Sequence, residues 1–245
     1  MIELSNVSKR FGEFQAVKEI SLEVRAGEIF GCLGMNGAGK TTTIRMMTGI
    51  IHPNSGTIRI CGFDTVSEPE RAKAVCGYVP DRPYIYNKLT GREFLYFIAE
   101  LYRMRSEEAE KQIDKLLEEY GLMDWQDELV ESYSHGMKQR LTTCGALVHK
   151  PRVLILDEPM VGLDPHGSRL LKDSLRRYAA EGMCIFLSTH SLNVAEEIAD
   201  RLAIIHKGQI LTAGTLAQIR SNHGLSQNGL EEIFIELTAT TGSFT

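Results

Sequence analysis

Ile20, Leu22 and Val24 alternate with Ser21, Glu23 and Arg25, the period of a half-buried strand. Ala26 and Gly27 turn the chain. Ile29 to Leu33 is then a near-continuous apolar run, which suits a strand covered on both faces. A glycine-rich stretch from Gly34 to Gly39 leads into a helix expected from Thr41 to Gly49. "HPNSG" (52–56) reads as a turn, and Ile58 and Ile60 mark another alternating strand. From about 85 to 150 the pattern is helical. Thr90 and Glu93 form a capping box ahead of Phe94 to Tyr102, with Phe94, Phe97, Ile98 and Leu101 at core spacing. Ser106, Glu107 and Glu108 open a second helix with an apolar face of Ala109, Ile113, Leu116, Leu117 and Tyr120, ended by Gly121. Ser134 opens a third helix, closed off by Pro151. Val153 to Leu156 and Cys184 to Leu187 read as buried strands. Between them, Asp164-Pro165 starts a helix that Gly182 ends.

This order of strands and helices predicts an α/β fold with a helical insertion at about 85–150. Residues 230–237 read as a short helix, and 238–245, without apolar period, as a loose tail.

Composition narrows the setting. The chain has 245 residues, 43% apolar and 24% charged, an ordinary globular profile. A net charge of −5 gives no basic footprint, so nucleic acid is not expected as a partner. The five cysteines, Cys32, Cys61, Cys76, Cys144 and Cys184, are scattered and lack paired spacing, so free buried thiols in a reducing compartment are expected. No signal peptide is expected at the N-terminus. No apolar run approaches the roughly 18 residues of a membrane span, so any membrane function needs another chain to carry the spans.

Three places carry chemistry. "GMNGAGKT" (34–41) fits the P-loop pattern between a buried strand and a helix. Its glycines let backbone N–H groups curl around phosphate oxygens, and the helix directs its positive end at the same anion. Lys40 adds a mobile charge for the β- and γ-phosphates, and the Thr41 hydroxyl suits Mg²⁺. "VLILDEP" (153–159) ends a buried strand in two carboxylates, which calls for cations nearby. Asp157 can hold Mg²⁺ through water and Glu158 can polarise an attacking water, although two acids at a strand end are also common as solvated groups. His190 follows the last buried strand. It can reach a γ-phosphate there, although alone it reads more readily as a surface-loop histidine.

"GMNGAGKTT", "YSHGM" (133–137), "LILDEP", "GLDP" (162–165) and "LSTH" (187–190) occur in the order and spacing of an ATP-binding-cassette (ABC) ATPase. From about residue 2 to 220 the chain resembles the nucleotide-binding subunit of ABC transporters. In particular it resembles the branch whose ATPase is a separate chain serving small export-type permeases. The resemblance implies a P-loop NTPase core with an antiparallel β subdomain and an inserted helical subdomain. It divides the chain into an ATPase domain, 1–220, and a C-terminal extension, 221–245. It implies ATP and Mg²⁺ as ligands. Phe11 would stack on adenine with Val17 beside it, and Gly34, Asn36, Gly37, Ala38, Gly39, Lys40, Thr41 and Thr42 would hold the phosphates. Thr41 and Asp157 would hold the metal, Glu158 would be the base and His190 the γ-phosphate sensor. Asp164 would link opposing sites.

Ser134 and Gly136 match the family's signature motif, which closes over the γ-phosphate of a second subunit. A helix start supplies free N–H groups, Ser134 a hydroxyl and Gly136 close approach. His135 stands where the family usually has glycine, Met137 where it has glutamine, and Asp81 where it has glutamine after "VCGYVP". Asp81 can still serve the metal or the water, but it repels an unshielded γ-phosphate.

The implied partners are a second ATPase subunit, as a homodimer, and a multispanning permease. The implied place is the cytoplasmic face of the membrane. The groove beside residues 80–105 receives a permease helix in such transporters, and Tyr84 and Tyr86 are expected to line it, with Asp81 connecting it to the nucleotide. A soluble ABC ATPase acting on a non-membrane partner, and an ATP-gated module with little hydrolysis, remain open alternatives.

Overall fold

The alternating pattern near the N-terminus folds as two long antiparallel strands, β1 (Ile2–Phe11) and β2 (Phe14–Val24), paired Ile2 with Val24 and Leu4 with Leu22. β1 was not legible as a strand. Asn6 adopts φ +50° and the register shifts between Leu4 and Val7, so the buried positions Ile2, Leu4 and Val7 break a strict period of two. The structure is a computed structural model that describes residues 1–222 and 229–240.

After the Gly27 turn, β3 (Ile29–Leu33) is buried throughout and feeds through the glycine-rich loop into α1 (Lys40–Met47). β4 (Ser55–Ile60) and the short β5 (Phe63–Asp64) complete an antiparallel sheet in the order β2-β1-β4-β5. Then come α2 (Pro69–Ala74) and β6 (Cys76–Val79).

The helical insertion consists of α3 (Gly91–Leu101), α4 (Ser106–Glu119) and α5 (His135–Leu147). The capping box forms as expected, with Thr90 accepting from the Glu93 N–H and Glu93 accepting from the Thr90 N–H. The cap of α4 is Arg105, not Ser106, which is the first helical residue. The face expected of α4 is buried in full, from Ala109 to Tyr120. On α3, Phe94 is buried, but Leu101, expected inside, is 63% exposed.

β7 (Val153–Asp157), α6 (Pro165–Ala180), β8 (Cys184–Thr189), α7 (Leu192–Ile198), β9 (Arg201–His206) and β10 (Gln209–Gly214) follow. The second sheet runs β10-β9-β3-β8-β7-β6, parallel from β9 to β6 with β10 antiparallel at its edge. Its inner strands alternate between two cores. Phe30, Cys32, Ile155 and Phe186 face the antiparallel sheet, and the Phe30 and Phe186 rings stack at 5.9 Å. Ile29, Leu154, Leu156, Ile185 and Leu187 face the helices. Burial on both faces explains their unbroken apolar runs.

α8 (Leu216–Asn222) and α9 (Leu230–Thr240) pack a third apolar cluster over Leu33 and Ala195. α9 runs past its expected end at 237, and the Thr238 hydroxyl donates to the Phe234 carbonyl one turn back. The loose tail expected from 238 therefore does not begin there, and 241–245 lie outside the described residues.

Leu33 pairs with Thr189 and Asp157 with Ser188, so β3, β7 and β8 end together. The P-loop, the two carboxylates and His190 leave the sheet at one carboxyl edge, where ligands of open α/β sheets bind.

Candidate functional site

The loop between β3 and α1 depends on specific glycines. Gly37 and Gly39 hold φ +81° and +109°. A Cβ on Gly34 would lie 2.5 Å from the Ile205 carbonyl, and one on Gly39 would lie 2.7 Å from the Ala16 carbonyl. Ala38, buried, accepts the Gly208 N–H, which ties the loop to β10's turn. Gly34 and Ala38 therefore shape the loop from behind. Gly39 caps α1 with no side-chain partner, which leaves the first N–H groups of the helix directed outward.

In front of that helix end lies a cavity of about 240 Å³ lined by Phe14, Ala16, Asn36, Gly37, Gly39, Lys40, Thr41, Thr42, Asp81 and Glu158. Most of the expected phosphate-binding positions thus share one cavity, and Asp81 lines it as well.

Lys40 is nearly buried. Its ammonium donates to the Gly34 carbonyl at 2.7 Å and meets Glu158 Oε1 at 3.2 Å as an ion pair, outside hydrogen-bond geometry. Glu158 has a positive φ of +49°, unusual for a residue with a long side chain, and its N–H donates to Ser188 Oγ at 3.1 Å. Its second oxygen accepts the His190 N–H at 3.2 Å and lies 3.0 Å from His190 Nδ1. A cation, a carboxylate and an imidazole therefore form one chain across the strand ends.

Asp157 is fully buried beneath them. The Ser188 hydroxyl donates to its Oδ1, and the Thr41 hydroxyl lies nearby. Burial raises its carboxyl above the usual range, against the lowering effect of those two hydroxyls. Its Oδ2 has no hydrogen-bond partner. An orphaned carboxylate oxygen beside a threonine hydroxyl, both hard oxygen donors, fits a divalent cation such as Mg²⁺.

Other expected positions lie outside the cavity lining. Phe11 is 50% exposed, with the Lys9 ammonium 5.3 Å from its ring centre, and Val17 has no exposed surface. Phe14, 64% exposed, and Ala16 line the cavity instead. Phe11 and Phe14 are cross-strand partners around the Gly12 turn. The paired aromatics of "FGEF" were the available signal for Phe14.

Ser134 caps α5 by accepting the Met137 N–H at 3.2 Å, and Asp164 caps α6 by accepting the Gly167 N–H at 2.6 Å. Ser134 and Gly136 do not line the P-loop cavity of their own chain. Met137 turns into the core, and the His135 ring rests on Gly162, whose added Cβ would lie 2.2 Å from His135 Cδ2.

Among the described residues, no helix is long and apolar enough to cross a membrane. Comparison with known proteins agrees with the geometry. The family model described as "ABC transporter" matches residues 17–161. The linearmycin resistance ATP-binding protein LnrL of Bacillus subtilis is 35% identical over 96% of this chain and 78% of its own length. The Nod factor export ATP-binding protein I of Burkholderia lata is 41% identical over 87% of this chain and 70% of its own. The solved structure of an ATP-binding subunit of an ABC transporter superposes with a TM-score of 0.92 at 33% identity, over 97% of this chain and 99% of that one. A bacterial ABC transporter cassette solved as a dimer gives 0.81 at 25% identity, over 88% and 99%. A phosphate-binding loop backed by acids and a histidine, on a fold shared nearly end to end with such subunits, makes this chain a member of the ABC transporter family and one of its ATP-hydrolysing nucleotide-binding domains.

Proposed function

We propose that the chain binds ATP with Mg²⁺ in the P-loop cavity, hydrolyses it with Glu158 as general base, and works in a head-to-tail dimer that powers an export-type permease. The observation that carries this reading is the linked Lys40, Glu158 and His190 at the strand ends.

The ammonium of Lys40 neutralises Glu158. A triphosphate offers Lys40 a stronger counter-charge, which releases Glu158 to take a proton from a water held on the γ-phosphate side. His190, still touching the second oxygen, orients that carboxylate and extends toward the phosphate. Thr41 and Asp157 would hold the Mg²⁺, which supplies charge neutralisation on the phosphate oxygens. Asp81, on the cavity wall, would complete that polar surface.

The placement of the α5 start supports the dimer. The capped start of α5 offers N–H donors and the Ser134 hydroxyl, yet it faces no phosphate of its own chain. A second copy in antiparallel orientation would supply one. Export is inferred from the named roles of the relatives in linearmycin resistance and Nod factor export. A groove of about 340 Å³ between the helical insertion and the α1 end, lined in part by Tyr84, is the surface that would receive the permease. Tyr86, expected beside it, does not line the groove. It packs edge-on against Phe97 at 5.3 Å. These partners would hold the chain against the cytoplasmic face of the membrane.

Glu158→Gln tests the core of the proposal. ATP binding should persist, turnover should fall by about 10² to 10⁴-fold, and a dimer should accumulate in MgATP. Turnover above half the parent rate would remove Glu158 from the role of base.

A further inference from the structure

The helices capped by Ser134 and Asp164 touch at their front ends. The His135 imidazole lies on Gly162, and a Cβ on Gly136 would lie 3.8 Å from the Gly162 carbonyl and 3.9 Å from Leu163 Cδ2.

A second connection joins them further back. Glu119, the last residue of α4, has a side chain only 12% exposed and faces α6. It accepts the Ser174 hydroxyl at 3.0 Å, the Tyr178 hydroxyl at 3.0 Å and the Arg177 guanidinium. The carbonyl of the next residue, Tyr120, accepts Arg140 of α5 at 2.7 Å, while the Tyr120 ring is fully buried. The Cys144 thiol of α5 faces the Leu116 carbonyl at 3.7 Å. The C-terminal end of α4 therefore grips α5 with its carbonyls and α6 with its carboxylate.

The physical chemistry favours a stiff joint. The last carbonyls of a helix are unsatisfied and carry its negative end, which Arg140 of α5 meets at Tyr120, while Arg177 of α6 meets the Glu119 carboxylate beside it. A nearly buried carboxylate with three donors cannot shift without leaving charge uncompensated, which costs more than the net worth of the pairs themselves.

We infer that Glu119 is a positioning residue that locks α5 and α6 into one body, so that Ser134 and Asp164 meet the nucleotide of a second copy at a fixed spacing. The inference rests on the dimer proposed above. Glu119 is not among the residues lining the P-loop cavity, so the isolated chain's hold on nucleotide does not depend on it. Without it, α5 and α6 keep their shared apolar core and the front contacts, but lose the polar hold that α4 has on α6. The lost order must then be restored when the dimer closes, which weakens association.

The experiment compares two affinities in the hydrolysis-blocked Glu158→Gln chain: nucleotide binding by the monomer, and MgATP-driven dimerisation followed by sedimentation. For Glu119→Ala, dimerisation should weaken about tenfold, while monomer nucleotide affinity stays within about twofold. Glu119→Gln keeps the shape and one acceptor oxygen, so it should fall between Ala and the parent. Should Glu119→Ala fail to fold, Arg177→Met, at a side chain 44% exposed, should weaken dimerisation with the same selectivity and smaller size. Ser134→Ala separates the two levels of the argument. If it weakens dimerisation and the Glu119 and Arg177 variants do not, the positioning role is overturned and the dimer reading stands. If Ser134→Ala has no effect either, the head-to-tail arrangement that seats Ser134 on the partner's nucleotide fails, and if the Glu158→Gln chain itself does not dimerise in MgATP, the dimer reading fails. A fall in monomer nucleotide affinity that parallels the loss of dimer would also overturn the positioning role, since it would mark general structural damage.

Discussion

Gly162 holds φ +78° directly beneath the His135 ring. Gly162→Ala meets two separate obstacles. The left-handed backbone costs an L-residue about 1–2 kcal/mol, and the new methyl would lie 2.2 Å from the imidazole, deep inside van der Waals contact, so the ring must leave. His135 is exposed and can swing outward. A double-mutant cycle separates the terms. In a His135→Gly background, Gly162→Ala should keep only its backbone cost. The excess seen in the parent, about 0.5–1 kcal/mol by denaturant unfolding, is then the worth of the ring contact. Identical costs in both backgrounds would show that the ring contributes nothing to the join. His135 and Met137 looked misplaced in the sequence for a reason now visible. One leans on the next loop and the other enters the core, so the phosphate-facing role proposed for that segment would fall to its backbone and Ser134. The charged positions Lys40, Asp157 and Glu158 were legible because a P-loop and a buried strand with acidic end allow few other arrangements. The left-handed backbone at Glu158 and the exposed partner phenylalanine, Phe14, were not. Neither leaves a periodic trace, and only pairing across the Gly12 turn brings Phe14 to the cavity.

At the scale of elements, a histidine in the turn that follows α5 carries a measurable signature. The His149 ring stacks on Tyr102 at 3.6 Å, with planes 8° apart, and its Nε2 lies 3.2 Å from the Cys76 carbonyl. Its Nδ1 is buried without a partner. Burial pushes its pKa from 6.5 down to about 4, against the hydrogen bond to Cys76. The unfolded chain therefore binds this proton near pH 6.5 and the folded chain only near 4. The unfolded state holds more protons in between, so stability is full above that window and falls as pH drops through it. The loss amounts to at most about 3 kcal/mol at the acid end. His149→Gln keeps a donor for Cys76 and removes the titration. Between about pH 7 and 5 its urea midpoint should fall less than that of the parent, and parallel curves would dismiss the effect. The contacts of this residue could not be read from the chain, because Tyr102 and Cys76 reach it from two other elements. Helices were the more legible elements for a related reason. Their caps, Thr90, Ser134 and Asp164, are local chemistry, whereas β1 depends on partners from β2 and β4 and bends at Asn6.

At the scale of the whole molecule, the parallel sheet gathers the P-loop, the acids and His190 at one edge, and the helical insertion leaves a groove against the α1 end. The α/β order and the insertion were legible because buried strands and amphipathic helices differ in period. The groove was not, since it lies between segments more than thirty residues apart, such as Ile50 and Leu101. Ile50, Tyr84 and Leu101, exposed by 57%, 82% and 63%, line it with Phe94, Ile98 and Tyr102. A contiguous apolar patch of this kind is unusual on a surface facing water alone. Tyr78 lines the groove too. Its hydroxyl is pushed up to about 12 by burial, with Asp157 and Asp81 adding to the effect. Tyr84 and Tyr86 should therefore separate experimentally. Tyr84 lines the groove with most of its ring in solvent, so Tyr84→Ala should leave the melting temperature and basal ATPase of the isolated subunit near normal and weaken co-purification with the membrane subunit. Tyr86 rests on Phe97, so Tyr86→Ala should instead cost about 0.5–1.5 kcal/mol of stability and leave the complex intact. A Tyr84→Ala chain that keeps its partner fully, or that loses basal ATPase together with solubility, would place the permease elsewhere on the molecule.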